Sequence, residues 1–253
     1  MRVAIIGAGP GDPELLTVKG ARLLEEADIV VYAGSLVNPD LLRRARPGVP
    51  IFDSSGMTLE EVLSIYESNR DREGLIARLH TGDPSLYGAI QEQIDFCRDR
   101  EIPIEVVPGV SSVFAAAAAL KRELTLPGVS QTVILTRQEG RTPVPEAERL
   151  PKLAVHGATL AIFLSAGRVD EVVDALLPSY GAATPVRVVH KASWPDERVV
   201  SGTLADIADR VREAGFGGQS MILVGAALAP GAAGYERSKL YDPKFSHGRR
   251  DAR

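Results

Sequence analysis

The chain opens on a strand that empties into a glycine turn. Val3-Ala4-Ile5-Ile6 is an apolar run of strand length, and Gly7-Ala8-Gly9-Pro10-Gly11 follows with no spacer. Asp12 can then cap a helix and Pro13 fits its first position, ahead of Leu15, Leu16, Val18, Leu23 and Leu24. A second apolar run, Ile29-Val30-Val31-Tyr32, completes a strand-loop-helix-strand unit. Strands joined through a helix run the same way, so the opening commits the chain to a parallel α/β sheet.

The rhythm continues. Thr58 and Glu61 have capping-box spacing ahead of Val62, Ile65 and Tyr66. Leu75-Ile76-Ala77-Arg78-Leu79 reads as a strand leading into His80-Thr81-Gly82-Asp83-Pro84, and Glu105-Val106-Val107 as another, stopped by Pro108-Gly109-Val110. Proline and glycine between Lys121 and Ser130 then break the pattern. A second α/β set begins at Thr132-Val133-Ile134-Leu135-Thr136, with further strands expected at 160–164, 186–189 and 221–224, and a helix at 204–212 capped by Thr203. Two domains are therefore expected: residues 1–120, carrying the glycine-rich and Gly-Asp-Pro loops, and residues 121–240, with a basic tail at 241–253.

Bulk properties narrow the function. The 253 residues carry a formal charge of −4 and are 45% hydrophobic, which suits a core-burying enzyme and argues against a nucleic-acid binder. There is no secretory signal pattern and no apolar stretch of membrane-spanning length, so a cytoplasmic protein is expected, without a membrane partner. A single cysteine, Cys97, forbids an internal disulfide, and His80, His156, His190 and His247 are scattered, so no protein-bound metal is expected.

As a phosphate loop, residues 7–11 are unconvincing. Pro10 removes an amide donor, no Gly-Lys-Ser/Thr ending follows, and the second strand ends at Tyr32-Ala33 where a dinucleotide site would present an acid. His80-Thr81-Gly82-Asp83-Pro84-Ser85-Leu86-Tyr87-Gly88 also leaves a strand end, as does Pro108-Gly109-Val110-Ser111-Ser112, and strand carboxyl ends are where α/β sheets hold ligands.

Taken in order, Gly7-Ala8-Gly9-Pro10-Gly11-Asp12-Pro13, Gly82-Asp83-Pro84-Ser85-Leu86-Tyr87-Gly88, Pro108-Gly109-Val110-Ser111-Ser112 and Val200-Ser201-Gly202-Thr203-Leu204 resemble the signatures of the tetrapyrrole methylase family, class III S-adenosylmethionine-dependent methyltransferases. The resemblance implies a two-domain α/β fold with a sheet in each domain and the active site in the interdomain cleft. It also implies a homodimer. Val31-Tyr32-Ala33-Gly34-Ser35-Leu36-Val37, residues 79–90 and residues 241–248 look like the branch that methylates precorrin-4, or its cobalt form, at C11 in cobalamin biosynthesis.

Carried onto this chain, the resemblance makes Pro10, Thr81, Gly82, Asp83, Leu86, Ser111 and Ser112 cofactor contacts, joined from the second domain by Leu164 and Ala192. Core packing is the alternative for Leu164, and Ala192 stands where the family often has glycine. The implied substrate carries several carboxylates, and Arg137, Arg141 and Lys191 are the candidate sources of local positive potential. The stretch from Glu236 to Arg253 sets six basic residues, Arg237, Lys239, Lys244, Arg249, Arg250 and Arg253, against Glu236, Asp242 and Asp251. It could cover substrate, contact a second copy or solvate the terminus. Methyl transfer from a sulfonium needs alignment rather than a covalent intermediate, so no catalytic nucleophile is nominated; His80 is a candidate acid-base group, with a structural hydrogen bond as its other reading. The rival readings are methylation of another precorrin position or of uroporphyrinogen III, and a nucleotide-sensing module.

Overall fold

The computed structural model describes residues 1–229 and 235–251. The chain divides into two compact units, Met1–Ala116 with Lys191–Glu197, and Ala117–His190 with Arg198–Arg253. The division falls inside the alanine-rich helix. A short segment bordered by second-unit residues on both sides, Ala192 included, packs with the first unit, contrary to the sequence expectation that placed it in the second domain.

The first unit contains strands β1 (Arg2–Gly7), β2 (Ile29–Tyr32), β3 (Ile51–Asp53), β4 (Leu75–His80) and β5 (Ile104–Val107). They form one sheet in the order β3-β2-β4-β1-β5, every pair parallel. Strand alternation sends Ala4 and Ile6 to one face, where they pack with Leu23 and Leu24 of helix α1 (Val18–Glu26). Val3 and Ile5 go to the other, against Val62 and Tyr66 of α2 (Leu59–Asn69) and Cys97 of α3 (Gln91–Asp99). The helix after β1 and the helix after β4 thus cover opposite faces. Between those two neighbouring strands lies the switch point at which open α/β sheets bind ligands.

Local chemistry sets the helix starts. The Thr58–Glu61 capping box forms in both directions at α2. Asp12 does cap, accepting the Glu14 amide, but Pro13–Leu15 is only a turn of 3₁₀ helix, and α1 begins later under Thr17, whose hydroxyl accepts from Gly20. The expected single helix is therefore two pieces. Helix α4 (Ser112–Ala119) follows β5.

The second unit contains β6 (Val133–Arg137), α5 (Leu150–Ala154), β7 (Thr159–Phe163), α6 (Val169–Tyr180), β8 (Pro185–His190), β9 (Arg198–Thr203), α7 (Ile207–Glu213) and β10 (Ser220–Val224). Its sheet runs β6-β7-β10-β8-β9; β6 and β7 are parallel and the other pairs antiparallel. Strand β9 carries Val200, Ser201, Gly202 and Thr203, and α7 starts three residues later than the sequence suggests. The reason is Asp206, whose Oδ1 accepts the Thr203 amide at 2.7 Å; Thr203 closes a turn rather than capping a helix.

Candidate active site

Three loops leave the carboxyl edge of the adjacent strands β4, β1 and β5, and they are bonded to one another. Ala8 donates its amide to the His80 carbonyl at 2.7 Å, and Gly82 donates to Gly9 at 2.7 Å. Gly109 packs so tightly here that an added Cβ would strike the Gly82 carbonyl and the Gly7 Cα, so no larger residue fits without moving two loops. A Cβ on Gly82 would lie 3.7 Å from Ser111 Cα and the same distance from the Ser112 amide nitrogen. Pro10, Gly82, Ser111 and Ser112, distant in sequence, thus belong to one loop cluster.

Asp83 braces it. Its Oδ2 accepts the Gly109 amide at 2.9 Å, tying the β4 loop to the β5 loop, while Oδ1 accepts the amide of Ser85 at 2.9 Å and the Ser85 hydroxyl. Partial burial works against ionisation, but these donors outweigh it and hold the carboxyl below the ordinary aspartate range. The side chain thus ties the β4 and β5 loops together. Thr81 and Leu86 are half-buried in the same turn, and Ser111 is buried with its carbonyl accepting from Phe114 at 3.0 Å.

The segment at 191–197, assigned to the first unit, fastens the opening loop. Trp194 Nε1 donates to the Pro10 carbonyl at 2.9 Å, and Ser193 Oγ accepts the Asp12 amide at 3.0 Å. Asn38 Nδ2 donates to the Gly11 carbonyl at 2.8 Å. Gly11 has no room for a side chain because Trp194 occupies the space. None of these three anchors was visible as such in sequence; the only trace was a glycine, Gly11, beyond those a turn requires. Ala192 is buried between Lys191 and Ser193, which both take positive φ, at 49° and 70°. Ala192 itself does not, so glycine's freedom is not needed there.

Leu164 follows β7 in the second unit. It is 69% exposed and held at φ 55°, so core packing, its alternative reading, is excluded. Tyr87, Ala89, Glu101, Lys121, Lys191, Ser193 and Gln219 are the other non-glycine residues at positive φ among the described residues. His80 is buried, its Nε2 unpartnered; burial, assisted by nearby Arg78, pushes its pKa down to about 3. The ring is neutral at physiological pH, with one N–H and one acceptor nitrogen, and its Nε2 makes no hydrogen bond. Among the described residues, no three His, Cys, Asp or Glu side chains are grouped to hold a metal.

Of the candidate cations, Arg137 spends its guanidinium on the carbonyls of Thr142 at 3.1 Å and Pro143 at 2.7 Å, and Lys191 pairs with Asp196 at 2.6 Å. In the tail, Arg250 donates to the Leu240 and Asp242 carbonyls, folding the segment on itself. Arg253 lies outside the described residues.

A parallel sheet whose switch-point loops are locked glycine to glycine at the carboxyl ends of its strands has the arrangement in which open α/β sheets hold small ligands. The chain belongs to the tetrapyrrole (corrin/porphyrin) methylases, whose family profile matches residues 2–208. It is 52% identical over 247 residues to the cobalt-precorrin-4 C(11)-methyltransferase of Methanocaldococcus jannaschii, covering 97% of this chain and 95% of that one. A solved cobalt precorrin-4 methyltransferase superposes with a TM-score of 0.88 at 50% identity, covering 90% of this chain and 96% of the other. The uroporphyrin-III C-methyl transferase of Thermus thermophilus, complexed with S-adenyl homocysteine, gives 0.75 at 31% identity, with 90% and 99% covered.

Proposed function

We propose that this chain transfers a methyl group from S-adenosylmethionine to C11 of precorrin-4 or its cobalt form, yielding the precorrin-5 form and S-adenosylhomocysteine in cobalamin biosynthesis. The observation that carries the reading is the interlock of the β1, β4 and β5 loops through Gly9–Gly82 and Asp83–Gly109. It fixes an edge of backbone amides and carbonyls where the three loops meet. The carbonyls on such an edge can face the positive charge of a sulfonium.

S-adenosylmethionine, when bound, supplies the methyl group, its carbon–sulfur bond breaking with the electron pair left on sulfur as the tetrapyrrole carbon takes the methyl. The chain's residues bind and orient. Pro10, Thr81, Gly82, Leu86, Ser111, Ser112 and Ala192 are the proposed contacts, Asp83 the brace. A rigid, prepaid geometry is where such a reaction gains most, because nothing needs to reorganise as the methyl moves. The proposed working form is a homodimer.

Incubation with methyl-13C S-adenosylmethionine and precorrin-4, with and without cobalt, followed by NMR localisation of the label, tests the reading. Label at C11 is expected; label at another ring carbon transfers the assignment to a sister activity, and donor binding without turnover favours a sensor.

A further inference from the structure

On β4, Leu75, Ala77 and Leu79 fill the apolar cluster under α1, while Ile76 belongs to the cluster under α2 and α3. Alternation puts Arg78 and His80 on the Ile76 side, advancing toward the carboxyl edge. Each is only 6% exposed. Arg78 Nη1 donates to Ser54 Oγ at 2.8 Å, and that hydroxyl donates to the Tyr32 carbonyl at 3.0 Å. Arg78 Nε and His80 Nε2 are buried without a hydrogen-bond partner.

Arg78 has no acid to balance it among the described residues; burial opposes its charge and lowers its pKa, with Tyr66 acting the other way. The nearest acid in sequence to its Ser54 partner, Asp53, is taken up by the amides of Gly34 at 3.0 Å and Ser55 at 2.8 Å. A buried, unpaired guanidinium is costly unless an anion arrives, and its free Nε edge is the side on which carboxylates bind in a fork. Ser54 is half-buried at the end of β3, between exposed Asp53 and Ser55, so the guanidinium is bonded to a residue at the surface. Arg137 and Lys191, the cations that sequence favours, are already engaged.

We infer that Arg78, flanked by Ser54 and His80, forms a carboxylate-binding subsite at the carboxyl edge of β4, β2 and β3 that receives an acidic side chain of the tetrapyrrole. The inference rests on the methyl-transfer reading for its ligand. The donor also carries one carboxylate, but Arg78 reaches toward β2 and β3, away from the loops after β1 and β5.

The test uses the full chain and its Arg78→Met and Arg78→Lys variants, with precorrin-4 turnover, calorimetric donor binding and absorbance titration of uroporphyrin III, a stable octacarboxylate. Arg78→Met removes an unpaired buried charge in favour of an apolar side chain, so the melting midpoint should hold or rise. The tetrapyrrole KM should nonetheless climb about tenfold or more, with donor affinity unchanged and Arg78→Lys recovering part of the loss. An unchanged tetrapyrrole KM and uroporphyrin affinity would overturn the subsite. Loss of donor affinity alone would move the carboxylate to the donor and overturn the tetrapyrrole assignment. If the wild-type chain fails to methylate C11 yet binds uroporphyrin in an Arg78-dependent way, the functional reading falls and the subsite stands.

Discussion

Trp194 and Pro10, 184 residues apart in sequence, are joined by a 2.9 Å hydrogen bond from the indole nitrogen to the proline carbonyl. The bond fixes the one peptide of the opening loop whose following residue, Gly11, has the indole in place of a side chain. Trp194→Phe keeps most of the ring packing and deletes the donor. Stability should fall by about 1 kcal/mol and S-adenosylmethionine affinity by about three- to tenfold. Because Trp194 is the only tryptophan in the chain, its emission should shift when donor is titrated in, a signal that calorimetry can check independently.

Asp83→Asn presents an amide nitrogen to donors that now face a carboxylate. A loss of about 1–3 kcal/mol in urea unfolding is expected, with weaker donor binding as the β4 and β5 loops separate. The sign with pH follows from the lowered folded pKa: the carboxylate's contribution is full above the unfolded value of about 3.9 and fades as pH drops through the folded one. The gap between wild type and variant should accordingly shrink in acid below about pH 4.

Gly109→Ala forces a methyl group into the Gly82 carbonyl. About 1–3 kcal/mol of destabilisation is expected, together with loss of donor affinity. A variant with native stability and native affinity would show that the three-loop interlock yields more than its packing indicates.

His80 should make the protein acid-sensitive well above the carboxylate range. Its folded pKa, about 3, lies below the unfolded value of about 6.5, so the unfolded chain binds the extra proton and stability declines as pH falls between them. Between about pH 7 and 5 the unfolding free energy from urea titration should fall by up to about 1.4 kcal/mol per pH unit below about 6.5, and His80→Gln should flatten that dependence.

Leu164→Asn should raise stability by about 0.5–1 kcal/mol, since asparagine tolerates the left-handed backbone and the leucine side chain is mostly in solvent. Thermal unfolding measures it.

The first unit was legible because its signals are local. Val3–Ile6 alternates on a strand, Thr58 and Glu61 sit at box spacing, and each glycine loop directly follows an apolar run. What stayed hidden depended on partners far along the chain. That Asp83 also ties the β4 loop to Gly109 is not written in its own motif. Trp194 and Asn38 carry no motif, and Arg78 reads as one residue of a strand until its side of the sheet and its missing counter-charge are known. In the second unit, Thr203 resembles a helix cap, and only the Asp206 carboxylate reaching back to its amide displaces the helix start.

The passage of residues 191–197 into the first unit means that the chain cannot be cut at its midpoint into self-sufficient halves. A fragment ending at Ala116 would possess all five parallel strands yet leave the Pro10 carbonyl and the Asp12 amide without the indole and hydroxyl that now seat them. Chimeras that exchange front halves between relatives will therefore need to import this heptapeptide along with them.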